Sequence, residues 1–349
     1  MNYYFPGIIT SKGQLSGIKP LDGFTVNSGE SAMILLMRCA GIKEGDKVAI
    51  PAFVCNSLRR AIKAVGGIPV YLDLNDDHTC ITNYSLSVMA AENCKLVILV
   101  HLYGQLHPYT KQIEAFCQAN HIFLIHDMAQ SYGLPTADLH KDFPVVYSFG
   151  PGKSTTAAGG ALIVWENNKM KNMVLPNASF PQRIRAGIFL SSRVYGKKIA
   201  TSSRLMEKVL DKFFPPSDRI TRMGKLQLQA AAYVINKFET TSSARIHRWS
   251  IMHNACTHHQ YLAHALPHEH TLGFKYIIDA GAYAQAFEQY LIKHGIPFYC
   301  LGKDVISEEK LHLPTFNKNA TCFFELSCEA SIPLEEITRV AALIAAFAN

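Results

Sequence analysis

The sequence predicts an α/β protein: a mostly parallel central sheet with helices on both faces, followed by a smaller C-terminal α+β domain. Three observations predict it. Between about residues 25 and 165, short apolar runs alternate with segments of helical periodicity. Two of those runs, Lys95–Tyr103 and Ile122–His126, are almost wholly apolar, the pattern of a strand buried on both faces. Strands that alternate with helices pair in parallel, because each crossover helix returns the chain to the same end of the sheet. Beyond residue 165 that alternation lapses.

The elements follow in order. Lys47–Pro51 reads as a strand, Asn56–Val65 as a helix, Ile68–Leu74 as a strand and Ser85–Ala91 as a helix. After the run Lys95–Tyr103 comes a helix over Pro108–Asn120, with Pro108 suited to its first turn. Ile122–His126, Val145–Phe149 and Ala161–Trp165 read as three further strands. Residues 175–220 mix Pro, Ser and basic residues and read as a long irregular excursion. Lys225–Phe238 and Ala244–Ala265 read as helices, Tyr276–Asp279 as a short strand, and Ala282–His294 and Leu334–Ala346 as helices. The expected division is a large domain over 1–240 and a small one over 241–349. There is no internal repeat and no low-complexity tract.

Composition narrows the function. The 349 residues are 48% hydrophobic and 17% charged, which suits a folded globular chain. No apolar run approaches the ~18 residues of a membrane span, and the N-terminal segment lacks the pattern of a signal peptide. The nine cysteines are odd in number, irregularly spaced and contain no CxxC, which argues against a disulfide framework or zinc site and for the reducing cytoplasm. The net charge of +7 is scattered apart from short clusters such as Lys197-Lys198. It favours an anionic small molecule as much as nucleic acid, and no nucleic-acid partner or metal is expected. The histidines 258, 259, 268 and 270 are too dispersed for a ligand set.

Three segments carry chemistry. Ser28-Gly29-Glu30-Ser31 opens an amphipathic helix whose apolar face is Ala32, Leu35, Leu36 and Cys39. A helix start presents free backbone N–H groups and a partial positive charge, so it either binds a phosphate or is simply an N-cap. Asp127 ends a buried strand, where ligands of open α/β sheets bind. It would pair with a protonated ring nitrogen or cap the next helix. Its neighbour His126 faces the other side of the strand and reads as structural. Lys153 lies among small residues between two strands, in Ser148-Phe-Gly-Pro-Gly-Lys153-Ser-Thr-Thr-Ala-Ala-Gly-Gly160. A lysine in such surroundings is suited to imine formation, since a lowered pKa frees the amine as nucleophile. The alternative is a point charge for a phosphate, but a P-loop would need Gly where Tyr147 stands.

Together these segments resemble the DegT/DnrJ/StrS-type family of pyridoxal-phosphate-dependent aminotransferases, in order and over residues 25–165. Ser28-Gly29 is similar to the family's SGT turn, Gly45-Asp46-Lys47-Val48 with Ile50-Pro51 to GDEVIVP, and Gly66-Gly67-Ile68-Pro69-Val70 to GATPVF. Val100-His101-Leu102-Tyr103-Gly104 is similar to its HLYG strand end, Asp127-Met128-Ala129-Gln130 to DAAQ, and Ser148-Phe149 with Lys153 to SF-x-x-x-K. The resemblance implies the fold-type I (aspartate aminotransferase-like) architecture and pyridoxal 5'-phosphate as cofactor. It implies a Schiff base on Lys153, Asp127 at the ring nitrogen and Gln130 against the ring. Ser148 and the amides of Glu30 and Ser31 would hold the phosphate at the cofactor-binding turn that Gly29 begins. It also implies a homodimer with the active site at the subunit interface.

The chain departs from the family's pattern at several points. Glu30 replaces a Thr, and a carboxylate beside a phosphate must turn outward. The family's ring-stacking aromatic falls at Cys55, with Phe53 the nearest ring. The loop after Lys153 is about one residue short and lacks a Glu before its Gly-Gly. The family's N-Y-R-M segment reads Ile220-Thr221-Arg222-Met223, without the Asn that reaches the partner subunit's phosphate; Arg222 is the residue left to compensate. His101 and Tyr103 either face the site or are structural. The expected activity is transfer of an amino group from an amino acid, glutamate by the resemblance, to a keto group of a nucleotide-linked deoxysugar. The alternatives are pyridoxal-phosphate chemistry on another small keto metabolite, and a cofactor-binding regulator without turnover.

Overall fold

The structure, a computed structural model, describes residues 23–74, 82, 84, 86–166, 170, 172–195, 220–257, 259–265, 272–300 and 313–348. Strand β1 (Phe24–Val26) leads into helix α1 (Gly29–Cys39). Then come β2 (Lys47–Pro51), α2 (Asn56–Ala64), β3 (Ile68–Leu72), α3 (Leu86–Ala91), β4 (Leu96–Val100), α4 (Thr110–Ala119), β5 (Phe123–Asp127), β6 (Val145–Ser148) and β7 (Ala161–Val164). They form a seven-stranded sheet in the order β1-β7-β6-β5-β4-β2-β3. The pairs β2–β3, β2–β4, β4–β5 and β5–β6 are parallel; β7 runs antiparallel to both β6 and β1.

The strand period explains why both faces are covered. Val48, Ile50, Leu96 and Ile98 enter one core with Leu35 and Leu36 of α1 and Ile62 of α2. Their neighbours Ala49, Val97 and Leu99 enter a second core with Met89, Ile113 and Cys117. Successive side chains point to opposite faces, so a strand apolar at every position needs helices on both. Each fully buried Leu, Ile or Val contributes on the order of 1.5–3 kcal/mol. Helix α1 ends where Gly41 takes φ +77°, donating to Arg38 O, while Ile42 N donates to Met37 O.

The second sheet has four antiparallel strands in the order β10 (Tyr299–Cys300), β11 (Phe323–Ser327), β9 (Lys275–Asp279), β8 (Ala263–His264). Tyr276, Ile278, Phe324 and Leu326 share a core with Trp249 and Met252 of the helix Phe238–Cys256 and Ile337 and Ile344 of the helix Leu334–Ala345. At its other end the helix Phe238–Cys256 meets the loop that follows β5. Phe238 lies against Gly133, where an added Cβ would sit 2.2 Å from its ring. A third cluster, with Ala52, Phe53 and Tyr103 on one side and Ile277 and Phe323 on the other, joins the two sheets.

Several boundaries differ from the sequence reading. The helix expected over 244–265 runs from Phe238 to Cys256, and Ala263–His264 pairs instead with Ile278 and Asp279 of β9. That pairing overrides the helical periodicity. The helix expected to reach Phe238 stops at Asn236, whose amide turns back onto Ala232 O at 2.8 Å. The excursion at 175–220 contains the helix Phe180–Tyr195, with Pro181 in its first turn, where no intrahelical N–H is needed; residues 196–219, Lys197-Lys198 included, lie outside the described residues. Helix α4 starts at Thr110, two residues past Pro108. Strands β1 and β11 had no sequence signal strong enough to separate them from loop.

Candidate active site

The parallel strands β2, β4, β5 and β6 all end on one edge of the sheet, and a pocket opens to solvent there. This is where an open α/β sheet leaves a crevice between diverging loops. Of the residues singled out from sequence, Gly29, Phe53, Cys55, Asp127, Gln130, Ser148 and Lys153 line it. Glu30 and Ser31 do not.

One wall is the start of α1. Ser28 is its N-cap, and its Oγ accepts from Ser31 N at 3.0 Å. The Ser31 amide, assigned to the phosphate by resemblance, is thus already engaged. The amides of Gly29 and Glu30 remain as first-turn donors without an intrahelical acceptor. Gly29 lies directly against Ser148: a Cβ added to it would come 3.2 Å from Ser148 Oγ. The Ser148 hydroxyl also accepts from Gly150 N at 3.3 Å. The carboxylate of Glu30 turns outward, where Arg60 of α2 binds it through Nε (3.1 Å to Oε1) and a terminal nitrogen.

The floor is the end of β5. Asp127 is 7% exposed, and its Oδ1 accepts from Ala129 N at 2.9 Å. Burial pushes its carboxyl above the usual range, while the Lys153 charge and the Ala129 amide pull it back. Such a carboxylate gains from a cationic hydrogen-bond partner within the pocket. Lys153 stands opposite, on a tight turn in which Thr156 Oγ1 accepts from Lys153 N (2.9 Å) and donates to Lys153 O (2.6 Å). Gln130 is held by Tyr103 N, which donates to its Oε1 at 3.1 Å; Tyr103 has φ +51° and packs between the two sheets. Phe53 lies with its ring 5.9 Å from Phe323, and Cys55 is exposed at the start of α2.

His101 also lines the pocket. Its Nδ1 accepts from His107 N at 3.0 Å, so its Nε2 carries the proton and donates to His126 Nδ1 at 3.0 Å. His126 Nε2 in turn lies 3.1 Å from Glu114 Oε1. Burial, followed by His126 and His107, holds His101 well below the ordinary imidazole pKa. Both ring nitrogens are committed, so His101 offers the pocket a neutral ring face. Of the dispersed histidines, His259 stacks on Phe347, and His258, His268 and His270 lie outside the described residues.

Sequence reasoning singled out Ile220-Thr221-Arg222-Met223 but missed how Asn27 and Gln227 tie that strap behind the site. Asn27 N donates to Thr221 O and Asn27 Oδ1 accepts from Thr221 N, both at 3.0 Å. Gln227, 7% exposed, reaches both Asn27 O and Ala158 O. A buried Gln on the apolar face that carries Ala230 and Ala231 was the signal available. Arg222 follows Thr221 on the surface, its backbone N donating to Pro176 O at 2.9 Å.

The sheet order and the pocket at its carboxyl edge define a protein of the fold-type I aminotransferase class. A solved Bacillus subtilis protein, ntda with bound cofactor pmp, shares the fold: TM-score 0.71 over 93% of this chain and 73% of that one, at 18% identity. Residues 19–294 match the DegT/DnrJ/EryC1/StrS aminotransferase family, and the chain belongs to it. Among curated relatives, the 3-oxo-glucose-6-phosphate:glutamate aminotransferase of Bacillus subtilis (strain 168) is 28% identical over 143 residues, 41% of this chain and 32% of the relative. The UDP-N-acetyl-3-dehydro-alpha-D-glucosamine 3-aminotransferase of Acidithiobacillus ferrooxidans is 32% identical over 154 residues, 43% of this chain and 41% of the relative. The matched stretch thus spans only about a third to two fifths of these relatives' length.

Proposed function

We propose that this chain is a pyridoxal-phosphate-dependent aminotransferase that moves an amino group from an amino acid to a keto sugar. The observation that carries the reading is the donor set of one pocket. It holds the first-turn amide of Gly29 and a hydroxyl for a phosphate, a buried carboxylate for a protonated ring nitrogen, and an amine for an aldehyde. That set fits pyridoxal 5'-phosphate group by group. When bound, the cofactor supplies an electron-poor ring that stabilises negative charge on the substrate carbon.

The chain's own residues do the rest. The amides of Gly29 and Glu30 and the Ser148 hydroxyl would hold the phosphate; the α1 N-terminus adds its partial positive charge. Asp127 would accept a hydrogen bond from the ring N–H and keep that proton in place. Lys153 would hold the cofactor covalently, then carry a proton on its freed Nζ to and from the substrate carbon. Cys55, Phe53 and Gln130 would bound the ring. Glutamate is the donor and a nucleotide-linked deoxysugar the acceptor in this reading; support comes from the family and from the relatives' names.

We further propose a homodimer and a division of the chain near residue 240, at the start of the helix Phe238–Cys256. A cytoplasmic setting suits the described cysteines, none of which is joined in a disulfide. No helix among the described residues is long and apolar enough to cross a membrane.

The test is the absorbance spectrum of the protein with pyridoxal phosphate, before and after glutamate, beside Lys153→Ala. A Lys153-dependent band that glutamate discharges supports the reading. A band that no amino acid discharges points to a regulator without turnover, and no Lys153-dependent band rejects the cofactor assignment.

A further inference from the structure

Gln227 stands behind the pocket and touches both halves of the proposed cofactor cradle. Its Nε2 donates to Ala158 O at 3.2 Å and to Asn27 O at 3.3 Å, while its Oε1 accepts from Gly224 N at 3.0 Å. Asn27 lies two residues before Gly29, at the turn assigned to the phosphate. Ala158 closes the loop that carries Lys153. That loop is a stiff ring: Ala157 N and Gly159 N both donate to Phe149 O, at 3.0 and 3.1 Å, and Thr155 Oγ1 donates to Ser148 O at 3.1 Å. The two glycines after Ala158 leave room for the strap. A Cβ on Gly159 would come 3.3 Å from Gln227 Nε2, and one on Gly160 would come 2.5 Å from Met223 Cε. Asn27 and Thr221 lock the same strap to the turn from the other side.

We propose that Gln227 is a positioning residue that fixes the separation between the Lys153 loop and the phosphate turn, and so matches the site to the length of its cofactor. The proposal rests on the cofactor reading above. A single carboxamide satisfies two backbone carbonyls that belong to segments 131 positions apart, and neither carbonyl has another described donor. Removing its N–H groups leaves the buried Ala158 O and the half-buried Asn27 O without that donor and lets the two walls move independently. The phosphate and the aldehyde of one rigid molecule then no longer meet both sites at once.

The test uses the full chain with Gln227→Met, which keeps the shape and loses both donors, and Gln227→Glu, which keeps only the acceptor for Gly224 N. Three quantities are read: the thermal midpoint without cofactor, the dissociation constant for pyridoxal phosphate, and the pH midpoint of the Lys153-dependent absorbance band. A folded variant with affinity weakened roughly tenfold and a displaced pH midpoint supports the proposal. Wild-type affinity and midpoint in a folded variant overturn it. So does a lowered thermal midpoint with both cofactor readouts unchanged, or failure of both variants to fold, since either assigns Gln227 to the fold alone. A wild type without any Lys153-dependent band sinks the cofactor reading itself, and the proposal with it; a normal wild-type band separates the two failures.

Discussion

Glu30 and Arg60 form a two-point ion pair between the first turn of α1 and the middle of α2, with Arg60 Nε 3.1 Å from Glu30 Oε1. The pair draws a carboxylate away from a turn whose amides face an anion site. Arg60 is largely exposed, so the pair adds little to stability, under about 1 kcal/mol. Its effect on a bound phosphate is different. Arg60→Ala frees Glu30 to swing toward the site, and the expected loss in pyridoxal-phosphate affinity is about two- to fivefold, shrinking at high salt. Adding Glu30→Gln to that variant should restore the affinity. Titration of the cofactor at two salt concentrations decides the matter; a double variant no better than Arg60→Ala would remove Glu30 as the cause.

Cys55 occupies the place where the resemblance puts a ring-stacking aromatic, and Phe53 is occupied by its contact with Phe323. Among the described residues lining the pocket, the remaining ring is the imidazole of His101, and no aromatic side chain stands at position 55. Cys55→Phe is expected to tighten cofactor binding by about 0.5–1.5 kcal/mol, or roughly two- to tenfold. Fluorescence titration measures this. Weaker binding would mean that the smaller side chain is needed for clearance.

The central sheet and the pocket's main groups were legible because their causes are local. A strand buried on both faces must be apolar at every position, and Leu96–Val100 shows that in the sequence itself. Asp127 and Lys153 stand out as charges at the ends of such runs. The missed features have distant causes. β8 is a strand because of β9, not because of Ala263 and His264. The Ser31 amide is taken by Ser28 Oγ, a choice of rotamer that composition does not reveal. Gln227 matters through Asn27 and Ala158, which lie far away along the chain.

The histidines beside the site predict an acid limit to stability. Burial lowers His107 from an ordinary 6.5 to about 4, and its Nε2 donates to Thr82 O at 2.9 Å. Its neighbour His101 is lowered for the same reason. Between these two values the unfolded chain binds a proton that the folded chain refuses. The contribution is therefore fully present above about pH 6.5 and is lost as the pH falls through about 4. For His107 alone the loss is on the order of 3 kcal/mol. Urea midpoints of the cofactor-free protein between pH 7 and 4.5 should fall, and fall less steeply for His107→Gln. Superimposed profiles would place the acid sensitivity elsewhere.

The sharpest prediction concerns Asp127. Its carboxyl is buried, and the neighbouring Lys153 is one of the groups that favour its ionised form. In the proposed mechanism it does not grip the cofactor; the α1 turn, Ser148 and Lys153 do that. Its role is to keep the ring nitrogen protonated, which matters while charge builds on the substrate carbon. Asp127→Asn should accordingly bind pyridoxal phosphate through Lys153 with affinity within about tenfold of wild type. The half-reaction with an amino donor should slow by roughly one to two orders of magnitude, the equivalent of a charge-assisted hydrogen bond of about 1.5–3 kcal/mol. Stopped-flow absorbance with glutamate separates binding from turnover. Equal losses in both would show that Asp127 holds the cofactor rather than tuning it, and an unchanged half-reaction would mean that the ring nitrogen is protonated by another group.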